Sequence, residues 1–177
     1  MTLHQTACNG KECFLLKGKP LTLRNNEGRN RIDDLVIINL PIQEVFAYVT
    51  DHANDKYWKP FVTESKQISA GPIGVGTLFE VVIVTLKRRI ADQVEVLEYE
   101  PYHWYVYRSN SQLFAFTGQL SFSTVVSGTH IQGHVNFHAQ GLWKLFTPFL
   151  AIFFRSQSKQ TFARLKQIME ISEQKTA

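Results

Sequence analysis

Residues 41–60 read PIQEVFAYVTDHANDKYWKP and follow directly on the β-branched run DLVIINL at 34–40. The run predicts a strand. Pro41 suits the first position of a helix, where its missing N–H costs nothing. Ile42, Val45, Phe46 and Val49 then fall at i, i+3, i+4 and i+7, the apolar stripe of a short helix packed on one side. Asp51 is placed to cap a second short helix over 52–58, because its carboxylate can accept the orphan N–H groups of the next turn, and Pro60 closes that helix. The density of polar groups from Asp51 to Lys59 raises the question of an active site or a metal site. The reading from the sequence is architectural: Asp51 caps, Trp58 anchors the helix pair from beneath, and His52 and Asp55 face solvent on a short surface helix.

From residue 61 to 139 the pattern changes to strands, expected near 61–69, 76–87, 89–99, 102–109, 112–124 and 129–139. The turn signals SAGPIGVG, KR, EP, SNS and VSG separate them. A helical region over 142–173 follows. Its first half is Phe-rich, and its second half carries Phe162, Leu165, Ile168 and Met169 at helical spacing. One strand, two small helices, six strands and a long helix make one strongly curved antiparallel sheet. An amphipathic helix can lie across its concave face, and the space left between them becomes core or cavity. Residues 1–31, with KGKPLTLRNNEGRNR and little apolar periodicity, read as a loosely structured N-terminal extension, and 32–177 as the domain.

Two strands declare their faces. In HIQGHVNFHA (130–139), Ile131, Gly133, Val135, Phe137 and Ala139 alternate with His130, Gln132, His134, Asn136 and His138, which places all three histidines on the wet face. Residues four apart on a strand are about 13 Å apart, so these histidines do not converge on one metal ion. In LFAFTGQLSFS (113–123), Phe114, Phe116, Gly118, Leu120 and Phe122 share one face. In HWYVYRS (103–109), Trp104, Val106 and Arg108 oppose Tyr105, Tyr107 and Ser109, and alternation alone leaves the inward side open. An inward Arg108 would need a partner such as Glu80, Glu95 or a ligand carboxylate. An outward one would be an ordinary surface cation. The strand 76–87 is apolar on both faces, and alternation leaves its inward side open too.

Composition narrows the function classes. A chain of 177 residues with 44% hydrophobic and 19% charged residues is an ordinary globular composition, and 13 Phe supply wide apolar surfaces. The net charge of +4 is mild, and no basic run interleaved with aromatics tracks a nucleic-acid backbone. Cys8 and Cys13 form neither a disulfide framework nor a zinc signature. The first residues lack a signal-peptide pattern. The longest apolar run, LWKLFTPFLAIFF (142–154), falls short of the ~20 residues that span a bilayer. A cytoplasmic protein without metal or cofactor is expected.

The combination INLPIQEVFAYVTDHANDKYWKP, GPIGVGTLFE and LEYEPYHWYVYRS resembles the polyketide cyclase/dehydrase and lipid-transport family of the START-related SRPBCC superfamily. The tail TPFLAIFFRSQSKQTFARLKQIME is similar to that family's C-terminal helix, and the resemblance covers roughly residues 33–172. It implies an α+β helix-grip fold, with a curved seven-stranded antiparallel sheet wrapped around the long C-terminal helix. It also implies a deep apolar cavity between sheet and helix that holds a hydrophobic molecule. Asp51, Trp58 and Pro60, and the turn residues Gly74, Gly76 and Thr77, match architectural positions of the family. The cavity candidates are Trp58, Trp104, Arg108, Phe114, Phe116, Val135, Phe137, Phe149 and Phe153.

No catalytic set is common to the family, and the chain carries no nucleophile motif, phosphate-cradling loop or metal-ligand spacing. Binding or transport of a lipid, quinone or polyketide-like molecule is therefore the leading expectation. A cyclase- or dehydratase-type enzyme is the alternative, with Arg108, Glu80, Tyr57, His103 and Arg155 as the polar residues available to it. A third role is a protein- or membrane-interaction module, in which the Trp- and Lys-containing segment 142–154 makes transient contact with a membrane surface.

Overall fold

The computed structural model describes residues 31–85, 88–110, 114–139 and 147–174. The chain runs β1 (Arg31–Ile38), α1 (Ile42–Thr50), a 3-10 turn (His52–Asn54), α2 (Asp55–Trp58), β2 (Val62–Gln67), β3 (Leu78–Thr85), β4 (Arg88–Glu100), β5 (Trp104–Asn110), β6 (Phe114–Val125), β7 (Gly128–Ala139) and α3 (Thr147–Gln174). All strands join one antiparallel sheet in the order β1-β7-β6-β5-β4-β3-β2. This is the curved seven-stranded α+β architecture expected, a half-barrel gripping a C-terminal helix. The segments 1–30 and 140–146 lie outside the described residues, and with them the expected N-terminal extension and the start of the apolar run.

The first strand begins at Arg31 rather than Asp34 and ends at Ile38. Its start is extended by pairing of Arg31–Asp33 with His134–Asn136 of β7. Its end is set by the corner that leads into α1, where Pro41 occupies the cap position. That corner is clamped by the β6–β7 hairpin: Thr129 Oγ1 donates to Leu40 O at 2.7 Å. Gly128 holds φ +130° with its Cα turned toward the Ile38 carbonyl.

Curvature has local causes. β4 slips register between Val96 and Glu98, and β2 between Val62 and Glu64, as bulges do where a sheet bends. The Gly74–Thr77 turn is bonded into the first of these. Gly76 N–H donates to Val96 O at 2.9 Å, and Val96 N–H donates to Thr77 O at 3.0 Å. Gly76 has φ +84°, a backbone state that favours glycine. The concave face is lined by Val81, Phe79, Val94, Val96, Tyr105, Tyr107, Leu120, Phe122 and Ile131.

α1 and the second half of α3 close one end of the concavity. Phe46 of α1 packs edge-on against Phe122, Tyr99 and Tyr102 at 5.0, 5.3 and 5.5 Å between ring centres. From α3, Phe162, Leu165 and Met169 are buried in the same core. Gly133 of β7 lies beneath the Phe162 ring, where a Cβ would stand 2.7 Å from Cζ. α3 also reaches past the sheet to the outermost strand: Lys166 Nζ donates to Ile37 O at 2.7 Å, and Glu170 Oε1 accepts from Asn39 N–H at 3.0 Å. Among the described residues no helix is long and apolar enough to cross a membrane.

Candidate functional site

The stretch 51–60 folds inward. Asp51 Oδ1 accepts from Ala53 N–H at 2.9 Å and caps the 3-10 turn as expected, and Trp58 is buried in the core. His52 and Asp55, expected on the surface, are only 1% and 2% exposed. The correction has a physical reason. Asp55 Oδ2 accepts from His52 Nδ1 at 2.5 Å and from Lys59 Nζ at 2.7 Å, so the charges are paired before they are buried. A carboxylate that already accepts from lysine can only accept from the imidazole, so the hydrogen of this contact sits on His52 Nδ1. The His52 ring stands against Phe79 and Tyr107, each at 5.0 Å between centres, and against Tyr105 at 5.7 Å.

Electrostatics follow from this packing. Burial alone would push the Asp55 carboxyl up, but the charges and hydrogen bonds of His52 and Lys59 outweigh it and hold the group below its usual value. Burial would lower Lys59, and the neighbouring Asp55 charge reverses this and raises it. Burial drives Tyr105 well above the usual phenol, with Asp55 adding to the shift, so its hydroxyl stays protonated. Among the described residues His52 Nε2, Asp55 Oδ1, Trp58 Nε1 and Tyr105 Oη have no hydrogen-bond partner. A carboxyl held low contributes stability that is complete above the ordinary carboxylate range and disappears as pH falls through the folded value. Asp55→Asn should therefore flatten the loss of stability below about pH 4, which denaturant titrations across that range would register. An unchanged slope would mean that Asp55 is not the group being protonated.

Tyr107 is positioned by a glycine. Gly118 faces it across the β5–β6 ladder, and a Cβ there would stand 2.4 Å from Tyr107 Cζ and 2.6 Å from its hydroxyl. The ring therefore lies flat over β6, stacked on Tyr105 at 5.3 Å and edge-on to Phe116 at 6.1 Å, with Lys59 Nζ 5.4 Å from its centre. Gly118→Ala should cost about 1–3 kcal/mol by lifting this ring, and much less in a Tyr107→Leu background. A urea double-mutant cycle measures the difference. Equal costs in both backgrounds would show that the close approach does not matter.

The candidate cavity residues divide. Phe116, Val135 and Phe137 lie on the concave face, where β6 begins and β7 ends, with Ile83 of β3 at the same end of the sheet. Phe116, Val135 and Ile83 keep partial exposure there, whereas Phe137 is buried. Trp58 belongs to the packed core. Trp104 and Arg108 do not join them. Both lie on the convex face, because Tyr105, Tyr107 and Ser109 take the inward side of β5. Arg108, with 44% of its side chain exposed, donates to Glu95 Oε2 at 2.8 Å. The side chains of Phe114, Phe149 and Phe153 lie outside those described. His134 is on the outer face as expected, yet it is buried, because Arg31 and Asp33 lie over it, each within hydrogen-bonding reach of its Nδ1.

The sequence reading missed an acid on the concave face. Asp92 of β4 shares that face with Val94 and Val96, and Ser109 of β5 donates its hydroxyl to Asp92 Oδ2. Strand alternation through ADQVEV, anchored on Val94 and Val96, carries the signal. Elsewhere, a surface groove of about 320 Å³ lies between Asn39–Ile42 and Thr124–Gly128, lined by no titratable side chain. Among the described residues no group of three or more His, Cys, Asp or Glu could hold a metal ion.

Residues 30–170 match the model of the family described as polyketide cyclase/dehydrase and lipid transport. The chain belongs to that family. Solved structures share its fold at low sequence identity. The Zhui aromatase/cyclase from Streptomyces sp. R1128 is 11% identical with a TM-score of 0.67, over 79% of this chain and 93% of that one. TTHA0849 from Thermus thermophilus is 14% identical with a TM-score of 0.66, over 77% and 94% of the two chains. The di-domain ARO/CYC StfQ, of the steffimycin biosynthetic pathway, is 13% identical with a TM-score of 0.67; 81% of this chain aligns with 51% of that one. No curated protein sequence is similar enough to count as a relative. In this member of the polyketide cyclase/dehydrase family, the concave face thus carries an apolar end with an acid beside it, and a largely buried charge cluster packs against it.

Proposed function

We propose that this protein binds or carries a hydrophobic small molecule, lipid, quinone or polyketide-like, between the concave face of the sheet and α3, and that it works in the cytoplasm. The observation that supports this is the contrast between the two ends of the concave face. At one end Phe46, Phe122, Leu165 and Met169 fill the space as core. At the other, Phe116 and Ile83 pack against that core yet stay partly uncovered, as does Val135 on the same face. Apolar concavities with a few polar groups are where small ligands are held. Native mass spectrometry of freshly purified protein, followed by organic extraction, tests the reading. A defined apolar molecule released from the protein is the expected result, and a consistently empty protein that takes up no apolar probe would sink it.

A second reading, a cyclase- or dehydratase-type enzyme, draws on the His52–Asp55 pair. A carboxylate that orients an imidazole through Nδ1 leaves Nε2 as a base, and two phenols stand beside the ring. His52 is sealed in the core at 1% exposure, so its Nε2 has no route to a substrate without movement of the surrounding rings. Binding therefore ranks first.

A further inference from the structure

We propose that the concave cavity selects uncharged ligands that bear a hydroxyl group, and that Asp92, braced by Ser109, anchors that hydroxyl. The proposal rests on the preceding reading of the concave face as a binding surface and specifies the chemistry that face accepts.

Asp92 stands one strand from Val81, and Ser65 lies on the far side of Val81, all three on the concave face. Ser109, the residue that reaches Asp92 from β5, is directly opposite Phe116, and Phe116 is opposite Phe137. The acid therefore adjoins the apolar end of the cavity. Its carboxyl accepts from Ser109 Oγ and, at 2.8 Å, from Gln93 N–H. Each carboxylate oxygen has two acceptor sites, so two such bonds leave capacity for a ligand hydroxyl. Ser65 Oγ, enclosed and without a partner among the described residues, offers a second polar point on the same face.

The placement of positive charge points the same way. Lys59 is committed to Asp55. Arg31, Arg89 and Arg108 lie on the convex face, each ion-paired with a carboxylate. Arg155, Lys159 and Arg164 are exposed on α3. The residues that bond or flank Asp92, namely Ser109, Gln93 and Val81, include no cation, so an anionic head group set against it would meet an acid and lose its hydration without compensation. A hydroxyl meets an acceptor already held in place. Burial pushes the Asp92 carboxyl up, and the Ser109 and Gln93 bonds offset this only in part, which further suits an uncharged guest.

Three planar probes of one size separate the possibilities: 9-anthracenemethanol, 9-anthracenecarboxylate and 9-methylanthracene, titrated by fluorescence at neutral pH. Wild type should bind the alcohol at least about tenfold more tightly than the carboxylate. Asp92→Leu should weaken the alcohol about tenfold and leave the methyl compound within about twofold. The isosteric Asp92→Asn should narrow the gap between alcohol and carboxylate. Ser109→Ala should weaken the alcohol in the same direction by less, and it guards against a fold defect in the leucine variant. A carboxylate bound as tightly as the alcohol, or equal losses for alcohol and methyl compound in Asp92→Leu, would overturn this proposal while leaving the cavity reading intact. Failure of all three probes to bind would overturn both.

Discussion

Asp55→Ala should remove about 3 kcal/mol of unfolding free energy, the lower end of what breaking a buried ion pair costs. The deletion strands the His52 imidazole and the Lys59 ammonium in a pocket of Phe79, Tyr105, Tyr107 and Trp58. Lys59 keeps 12% of its side chain exposed, and that partial access to water keeps the loss from the top of the range. Replacing the pair together, Asp55→Leu with Lys59→Met, should recover part of the loss, because two apolar side chains need no solvation while His52 Nδ1 still lacks its acceptor. Urea denaturation of the single and double variants decides it. A loss under about 1 kcal/mol in the single variant, or no recovery in the double, would show that the ion pair is not buried as described.

Gly128→Ala should be comparably damaging for a backbone reason. A Cβ at this position would stand 2.2 Å from Ile38 O, 2.8 Å from Asn39 Cα and 2.9 Å from Leu40 N, all main-chain atoms of the corner that launches α1. No side chain can swing aside to relieve the contact, and φ +130° is itself strained for any residue with a Cβ. A loss of roughly 3 kcal/mol or more is expected. Gly71→Ala separates the two causes. Gly71 has φ +93° but nothing within 4 Å of a built Cβ, so it should show only the conformational cost, about 1–2 kcal/mol. Equal losses at the two sites would leave the close approach without effect.

Much of this architecture is legible in the amino-acid sequence. Alternation in β6 and β7 assigns Phe116, Leu120, Ile131 and Phe137 to the concave face, and the stripe Val45, Phe46, Val49 orients α1. Alternation fails in β5, where both faces carry aromatics and Arg108 is compatible with either side. Tertiary packing resolves it, with Gly118 making room for Tyr107 on the inside and Glu95 pairing with Arg108 outside. The charge cluster escapes a reading of the sequence because a polar residue on a short helix is solvated by default. Its signal is the spacing: His52, Asp55 and Lys59 stand three and four residues apart, which places base, acid and cation on one helical face. His134 misleads in the same way. Its face follows from alternation, and its burial depends on Arg31 and Asp33, 103 and 101 residues away in the chain.

The reach of α3 to the rim of the sheet has a consequence for how these molecules behave together. β1 is the last strand in the ladder, and its far side would ordinarily present free main-chain groups to any passing extended chain. Lys166 and Glu170 occupy the Ile37 carbonyl and the Asn39 N–H there, so part of that edge is already satisfied from within. At the opposite rim β2 displays the charged side chains of Glu64 and Lys66, which disfavour strand addition. A half-open barrel with two guarded rims can present an apolar concavity to a ligand while offering little purchase for a second copy of itself.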